Sequence, residues 1–220
     1  MFKKILNNTS PDSTANKFRR KRFRYFTELI QNDPLPVKIL DVGGTENFWL
    51  QMGYYANKNY QITVLNINVQ HSHTKENLTF IYGDAADLSQ FGDKEFDIVF
   101  SNSVIEHIPK DTERRKMASE IIRTGKKYYV QTPNYYFPFE PHFLFPFFQF
   151  FPKTLKVFML MHFDMGWFTK CGSAAEAESL LETNRLLKCA ELRSYFPGAT
   201  IIREKFIVMT KSLIAVSRGN

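Results

Sequence analysis

Short apolar runs alternate along the chain with segments whose apolar residues recur at helical spacing. The apolar runs predict buried strands at Val37–Val42, Gln61–Ile67, Leu78–Asp84, Phe96–Asn102, Lys126–Pro133, Ala199–Phe206 and Met209–Ser217. Helical spacing is found at Asn16–Gln31, Glu46–Tyr54, Lys110–Thr124, Ala174–Leu187 and Glu191–Phe196. Strands that alternate with helices predict β-α-β units, and therefore an α/β fold with a doubly wound sheet.

The last two runs lie too close together for a crossover helix, so we predict an antiparallel hairpin at one edge of the sheet. Residues 35–220 are predicted to form a single domain. Residues 1–34 precede it as a polar tail and a basic amphipathic helix. The domain carries a lid-like insertion at about residues 135–168, after the fifth strand.

The insertion is unusually rich in aromatic residues, since it holds half of the chain's 22 phenylalanines. Prolines at positions 138, 141, 146 and 152 exclude one regular packed element. Leaving so many phenylalanines in water would cost about 1.5 to 3 kcal/mol each. We therefore expect them to cover an apolar substrate, rest on a membrane surface or contact another subunit, and the sequence leaves the three alternatives open.

Composition and charge narrow the class of protein. The chain has 220 residues and is 44% hydrophobic, which indicates a globular protein. Its net charge of +7 favours acidic partners, and the basic helix beside an aromatic segment favours an anionic membrane surface. Cys171 and Cys189 lie far apart without a matching histidine cluster, so neither a disulfide nor a metal site is predicted. We find no signal peptide or spanning segment, and expect a cytoplasmic protein, peripheral at the inner face of a membrane.

Polar residues and glycines stand where the predicted strands end. Asp41 ends the first strand and is followed by Gly43 and Gly44, Asn66 ends the second strand, and Asp84 ends the third. Parallel strands present their carboxyl ends at one edge of the sheet, where nucleotide-type ligands bind in a crevice. The fourth strand opens there into a polar Ser-Asn-Ser tip. The spacing therefore predicts a nucleotide-type ligand.

The chain resembles the class I S-adenosylmethionine-dependent methyltransferases, in their small-molecule branch, at the motifs DVGG, GDAADL and FDIVFSNSVIEHI. This resemblance implies a Rossmann-like seven-stranded sheet whose last strand is antiparallel, and S-adenosyl-L-methionine as cofactor. It implies that Asp41, Gly43 and Gly44 contact the methionine part of the cofactor and that Asn66 contacts the ribose. It also implies that Asp84 and Ala85 contact the adenine, and that Asn102 and Ser103 lie at the sulfonium. The chain departs from the family pattern in having GGT for GxGxG and an amide, Asn66, for the ribose acid.

NAD is the alternative cofactor for the same crevice, and two histidines are candidates for a catalytic base. NAD binding would require GxGxxG and an acid at position 66, and the chain has neither. His107, with Glu106, is the first candidate base, and a structural imidazole bonded to Glu106 or to the backbone is its alternative. His142 beside Glu140 in the insertion is the second candidate.

These observations predict methyl transfer to a small acceptor, apolar or lipid-linked, by O-methylation. A nucleic-acid methyltransferase and a non-catalytic member that binds cofactor only are the alternatives. The fourth strand ends in SNSV, whereas methyltransferases of base nitrogens often carry Asp/Asn-Pro-Pro-aromatic there. Nucleic acid is for that reason not the expected partner.

Overall fold

The computed structural model describes residues 14–217. Its strands are β1 Val37–Val42, β2 Tyr60–Leu65, β3 His73–Lys75, β4 Leu78–Ile81, β5 Phe96–Asn102, β6 Gly125–Pro133, β7 Phe139–Glu140, β8 Phe145–Pro146, β9 Ala199–Phe206 and β10 Met209–Ser217. Its helices are α1 Thr14–Ile30, α2 Glu46–Met52, α3 Asp111–Thr124, α4 Lys153–His162, α5 Ala174–Glu182 and α6 Cys189–Tyr195, with short 3-10 helices at Ile105–His107 and Phe148–Phe150.

Eight of the strands form one sheet in the order β3-β4-β2-β1-β5-β6-β10-β9. Strand β1 pairs in parallel with β2 and β5, and β2 pairs in parallel with β4. The predicted α/β, Rossmann-like fold is confirmed, with one strand more than the seven expected. The extra strand is β3, which pairs antiparallel with β4. All three residues of β3 are exposed and it holds no apolar run, so its sequence carries no strand signal.

The predicted hairpin is also confirmed at the other edge of the sheet. Strands β9 and β10 are neighbours, and only Ile207 and Val208 connect them. A two-residue connection between paired strands makes them antiparallel. Ile207 adopts a left-handed backbone with φ +56°, as one residue of such a turn commonly does.

The chain folds into two compact units. Of the described residues, 14–102, 115–130 and 216–217 form the first unit, and 103–114 and 131–215 form the second unit. Residues 1–13 of the predicted tail lie outside the described residues. The division into residues 1–34 and 35–220 stays a prediction.

The first unit has an aromatic core that helix α1 completes. Phe23 and Phe26 point inward from α1, and Phe26 is fully buried. Their rings pack against Trp49 of α2 and Phe100 of β5, with centroids 5.0 to 6.1 Å apart. The apolar face of the basic helix is therefore part of the fold, because burying these rings stabilises the unit by the hydrophobic effect.

The second unit has a core of its own, which the aromatic insertion supplies in large part. Its buried residues are Phe143, Phe148, Leu160, Met165, Cys171 and Ala177. Helix α4, which the sequence analysis missed, begins directly after Pro152 and buries Leu160 in this core. Some of the insertion's phenylalanines are thus core residues. Among residues 14–217 we find no helix that is long and apolar enough to cross a membrane.

Candidate active site

The glycine loop follows β1 in the first unit. Gly43 has φ +82°, a left-handed conformation that glycine adopts without steric cost, and its N–H donates to the Leu65 carbonyl at 2.7 Å. This bond ties the loop to the end of β2. Both Gly43 and Gly44 are half-buried, so part of the loop's backbone remains open to a ligand.

Gly44 lies against the carboxyl group of Asp41. A Cβ atom built on Gly44 would fall 1.6 Å from Asp41 Oδ2, so only glycine fits there while Asp41 keeps its position. Asp41 is 1% exposed and accepts a hydrogen bond from Trp49 Nε1 at 2.7 Å. Burial raises the pKa of Asp41 to about 7, against the lowering effect of the Trp49 bond. Asp41 therefore supports the loop from inside the fold, and its direct contact with a cofactor stays a prediction.

Asn66 links the ends of β1 and β2. Its Nδ2 donates to the Gly44 carbonyl at 3.0 Å, and its Oδ1 accepts from the N–H of Asn68 at 2.9 Å. The family resemblance predicts a ribose contact at this residue. In the structure Asn66 holds the glycine loop, and the half-buried side chain keeps a second amide hydrogen for a ligand.

Asp84 and Ala85 lie beyond the end of β4. Asp84 is exposed, and its Oδ1 accepts from the Ala86 N–H at 2.9 Å, which fixes the turn. Ala85 is half-buried. The remaining oxygen of Asp84 suits the predicted contact with an exocyclic amine.

The end of β5 carries a contact that the sequence analysis missed. Arg22 of α1 is 8% exposed, and its Nη2 donates to Asn102 Oδ1 at 2.8 Å. Arg19, one turn earlier, is half-buried and lies 5.9 Å from the ring of Phe48. Burial and the neighbouring charge of Arg22 lower the pKa of Arg19 to about 10. These neighbouring cations on α1, of which Arg22 is bonded to the end of β5, suit an anionic ligand.

These residues fit S-adenosylmethionine, whose methionine part carries a carboxylate. The paired charges of Arg19 and Arg22 suit that group, and the open backbone at Gly43 and Gly44 suits close approach. In the sequence Arg19 and Arg22 are recognisable only as members of a basic run, which does not distinguish them from exposed arginines. The fold was needed to show that Arg22 faces inward.

Ser103 follows Asn102 in the chain and belongs to the second unit. It has φ +59°, and both its backbone N–H and its Oγ donate to Gln131, at 3.0 Å each. A left-handed backbone at a non-glycine residue is uncommon and costs about 1 to 3 kcal/mol. The two bonds to Gln131 hold this conformation in place.

Glu106, His107 and His142 lie together in the second unit. Each offers one donor atom, and these three atoms lie within 4.8 Å of one another. Glu106 is fully buried, His107 is exposed and His142 is half-buried. The structure thus brings together the three residues that the sequence analysis proposed as catalytic.

His142 is held firmly in its loop. Its Nδ1 bonds to Glu140 Oε1 at 2.7 Å, and its backbone N–H donates to the other oxygen of Glu140 at 2.8 Å. Burial lowers the pKa of His142, but the hydrogen bond and the charge of Glu140, together with Glu106, raise it above the usual range. Gly166, at φ +56°, lies so close that a Cβ there would be 2.3 Å from the His142 carbonyl.

Comparison with known proteins bears on residues 40–128 and on the fold. Residues 40–128 match the family described as "Methyltransferase domain". None of the curated proteins is significantly similar to the chain.

Among solved structures, the chain is similar to a SAM-dependent methyltransferase from Methanosarcina mazei, with a TM-score of 0.51, 17% identity, and coverage of 86% of this chain and 96% of that one. A SAM-dependent methyltransferase from Aquifex aeolicus has a TM-score of 0.52, 9% identity, and coverage of 97% and 95%. Magnesium protoporphyrin IX methyltransferase from Synechocystis, solved with bound SAH, has a TM-score of 0.51, 15% identity, and coverage of 99% and 93%. At these identities the similarity shows a shared fold.

Proposed function

We propose that this class I S-adenosylmethionine-dependent methyltransferase, whose cofactor is S-adenosylmethionine, methylates a small apolar or lipid-linked acceptor on oxygen. The observation that carries this proposal is the composition of the second unit. One segment supplies both His142 of the Glu106–His107–His142 cluster and a set of exposed aromatic side chains.

The cluster favours oxygen as the acceptor atom. S-adenosylmethionine supplies an electrophilic methyl group, which the acceptor atom takes from sulfur in an in-line displacement. A hydroxyl group must lose its proton to become an effective nucleophile, whereas a neutral amine already carries a free electron pair. We assign Glu106, His107 and His142 as the groups that activate the hydroxyl, because they offer two imidazoles and one buried carboxylate within 4.8 Å.

The exposed aromatic residues favour an apolar or lipid-linked acceptor. In the second unit, Phe147 is 55% exposed, Phe150 45% and Phe158 52%. Exposed aromatic groups of this kind commonly mark a surface that contacts an apolar partner. We further propose that they rest on an anionic membrane surface, with the net charge of +7 adding electrostatic attraction.

Transfer of labelled methyl groups tests the acceptor class. The protein, labelled S-adenosylmethionine and a cell extract are incubated, and the extract is then separated into lipid, nucleic-acid and small-molecule fractions. We expect label in the lipid or small-molecule fraction, in a product with the base stability of a methyl ether. Label confined to nucleic acid would contradict the proposal, and so would an N-methyl product.

Flotation with liposomes that contain anionic lipid tests the membrane surface separately. The variant changes Phe147, Phe150 and Phe158 to Ser, because these side chains are exposed, whereas Phe148 is 1% exposed and its removal would damage the core. The matched control changes the exposed Tyr82 of the first unit to Ser. We expect the wild type and the control to float and the triple variant to stay in solution. Failure of the wild type to float would refute membrane attachment.

A further inference from the structure

The side chains of Glu106, His107 and His142 lie close together but are not hydrogen-bonded to one another, which proton transfer alone does not require. The donor atoms of the three residues lie within 4.8 Å of one another. Yet within residues 14–217 no hydrogen bond joins these three side chains to one another, and each is bonded to a different outside group. The three side chains therefore lie close together without a hydrogen bond between them.

Both imidazoles are oriented through the same ring atom. His107 Nδ1 lies 3.0 Å from the Thr183 carbonyl, and His142 Nδ1 lies 2.7 Å from Glu140 Oε1. A carbonyl oxygen can only accept, so His107 carries its proton on Nδ1 and presents Nε2 as a lone pair. The bond to Glu140 favours the same tautomer for His142. Histidines that bind a metal almost always use their second nitrogen in this way, toward a carboxylate or a backbone carbonyl.

Glu106 adds a buried oxygen. Its Oε2 accepts from Thr132 Oγ1 at 3.0 Å, while its Oε1 is buried and has no hydrogen-bond partner among the described residues. The side chain is 0% exposed. A buried oxygen without a partner costs on the order of 1 to 3 kcal/mol, and more if it is charged, unless a ligand satisfies it.

We propose that Glu106, His107 and His142 form a binding site for one divalent transition-metal ion. Two imidazole nitrogens and one carboxylate oxygen are the three-ligand set of many catalytic zinc sites, and they also suit iron(II), manganese(II) and cobalt(II). Two nitrogen ligands out of three disfavour Mg²⁺ and Ca²⁺, which prefer oxygen. The sequence alone predicts no metal site, because the two cysteines lack a CxxC motif and a matching histidine cluster.

The structure also explains how the ligands would close on an ion. Metal–ligand distances of about 2.0 to 2.2 Å require the donor atoms to come closer together than 4.8 Å. His107 is exposed, so its ring can make this movement, while Glu140 and Gly166 hold His142 in place. The ion's role rests on the proposed function: its open coordination position would bind the acceptor oxygen and lower the pKa of that hydroxyl.

Calorimetry with Zn²⁺, and cobalt(II) absorption spectra, test the site on untagged, chelator-treated full-length protein without S-adenosylmethionine. We expect one Zn²⁺ per chain and cobalt bands of a four- or five-coordinate site. H107Q, at an exposed position, should weaken Zn²⁺ binding at least tenfold. E140Q, which replaces the carboxylate that orients His142 and that also accepts from the Phe143 N–H, should weaken Zn²⁺ binding about 10- to 100-fold. Because S-adenosylmethionine is absent, a failure here is distinct from a failure of the proposed methyl transfer.

His162 provides the matched control. It belongs to the same unit, is exposed, and its Nδ1 also lies near a backbone carbonyl, that of Phe158, at 2.7 Å, but it is outside the cluster. H162Q should leave Zn²⁺ binding unchanged. The proposal is overturned if wild-type protein binds no Zn²⁺ at 1:1, or if H107Q binds it as tightly as H162Q does. Either result would leave the cluster as hydrogen-bonding groups only.

Discussion

The functional polar groups of the two units differ in how they are hydrogen-bonded. In the first unit the groups predicted to hold the cofactor are bonded to one another or to their own neighbours: Asp41 to Trp49, Asn66 to the Gly44 carbonyl, and Asn102 to Arg22. In the second unit Glu106, His107 and His142 each bond to a group outside the cluster and offer one donor atom within 4.8 Å of the others. The first arrangement suits a rigid binding loop, and the second suits groups that act on a ligand.

This difference has an energetic basis. A satisfied polar network costs little to bury and rigidifies the fold, so a cofactor meets a loop that is already shaped. An unsatisfied buried oxygen such as Glu106 Oε1 costs free energy unless a ligand satisfies it. Substitutions in the glycine loop and at Arg22 should therefore change cofactor affinity, and those in the Glu106–His107–His142 cluster should change turnover or metal binding.

The largest expected effect is that of G44A in the first unit. The new methyl group would meet Asp41 Oδ2 at 1.6 Å, so Asp41 would have to leave its bond to Trp49 and the loop would lose its shape. We expect the affinity for S-adenosylmethionine to fall by at least about 1,000-fold, or some 4 kcal/mol. Calorimetry measures this affinity. The control is G198A, where an added Cβ meets nothing within 4 Å. Normal binding by G44A would show that the loop does not hold the cofactor.

The next effect is a pH dependence of the first unit's stability. The pKa of Asp41 is about 7 in the folded protein against 3.8 as its ordinary value, so the folded state binds more protons between these limits. The contribution of Asp41 to stability is therefore greatest below about pH 4 and is lost as the pH rises to 7, by at most about 4 kcal/mol. D41N should abolish this contribution, because the amide does not ionise.

Urea unfolding at pH 4 to 7 measures the contribution of Asp41 to stability, with Trp49 fluorescence reporting on the first unit. The chain has two tryptophans, and the exposed Trp167 is changed to Phe in both proteins to remove its signal. The quantity compared is the difference in free energy of unfolding between protein with Asp41 and the D41N variant. A difference that is constant with pH would show that Asp41 keeps an ordinary pKa.

The third prediction concerns G166A in the second unit. A Cβ there would lie 2.3 Å from the His142 carbonyl at a backbone of φ +56°, so the loop that holds His142 must shift. We expect methyl transfer to fall about 100-fold while S-adenosylmethionine affinity changes less than threefold. Single-turnover assays and calorimetry measure the two quantities. Here G172A is the control, since its Cβ would make only an ordinary contact at 3.6 Å. Equal losses in both quantities would erase the distinction between the units.

The smallest predicted effect is that of R22Q. Removing one of two neighbouring cations weakens an anionic contact and releases Asn102, which should lower S-adenosylmethionine affinity about tenfold, or 1.4 kcal/mol. The exposed Arg20 on the same helix provides the control R20Q, which changes the net charge equally. Similar losses in R22Q and R20Q would indicate a general effect of charge, without a specific contact.

Local patterns were sufficient for most of the sheet. Strands β1 and β5 begin and end at the predicted residues, because buried strands of a parallel sheet carry continuous apolar runs that stop at glycines or polar tips. Strand β3 and helix α4 were missed. The first is polar throughout, and the second follows Pro152 within a segment whose prolines indicated irregular structure.

The candidate site shows the limit of such patterns more clearly. Glu106, His107 and His142 were each identified from residue type and neighbours, but their meeting depends on how the insertion folds against the 3-10 helix of its own unit. The bond between Arg22 and Asn102 joins residues 80 positions apart. No periodicity encodes contacts of this range, since they result from packing of whole elements.

The division of work between the two units is tested most directly by H142Q. The measurement is the rate of labelled methyl transfer to the extract acceptor at saturating S-adenosylmethionine, together with the affinity for that cofactor. The account predicts that H142Q binds S-adenosylmethionine as the wild type does and transfers methyl groups at least 100-fold more slowly. Transfer at the wild-type rate would contradict it, because the cluster would then take no part in the reaction.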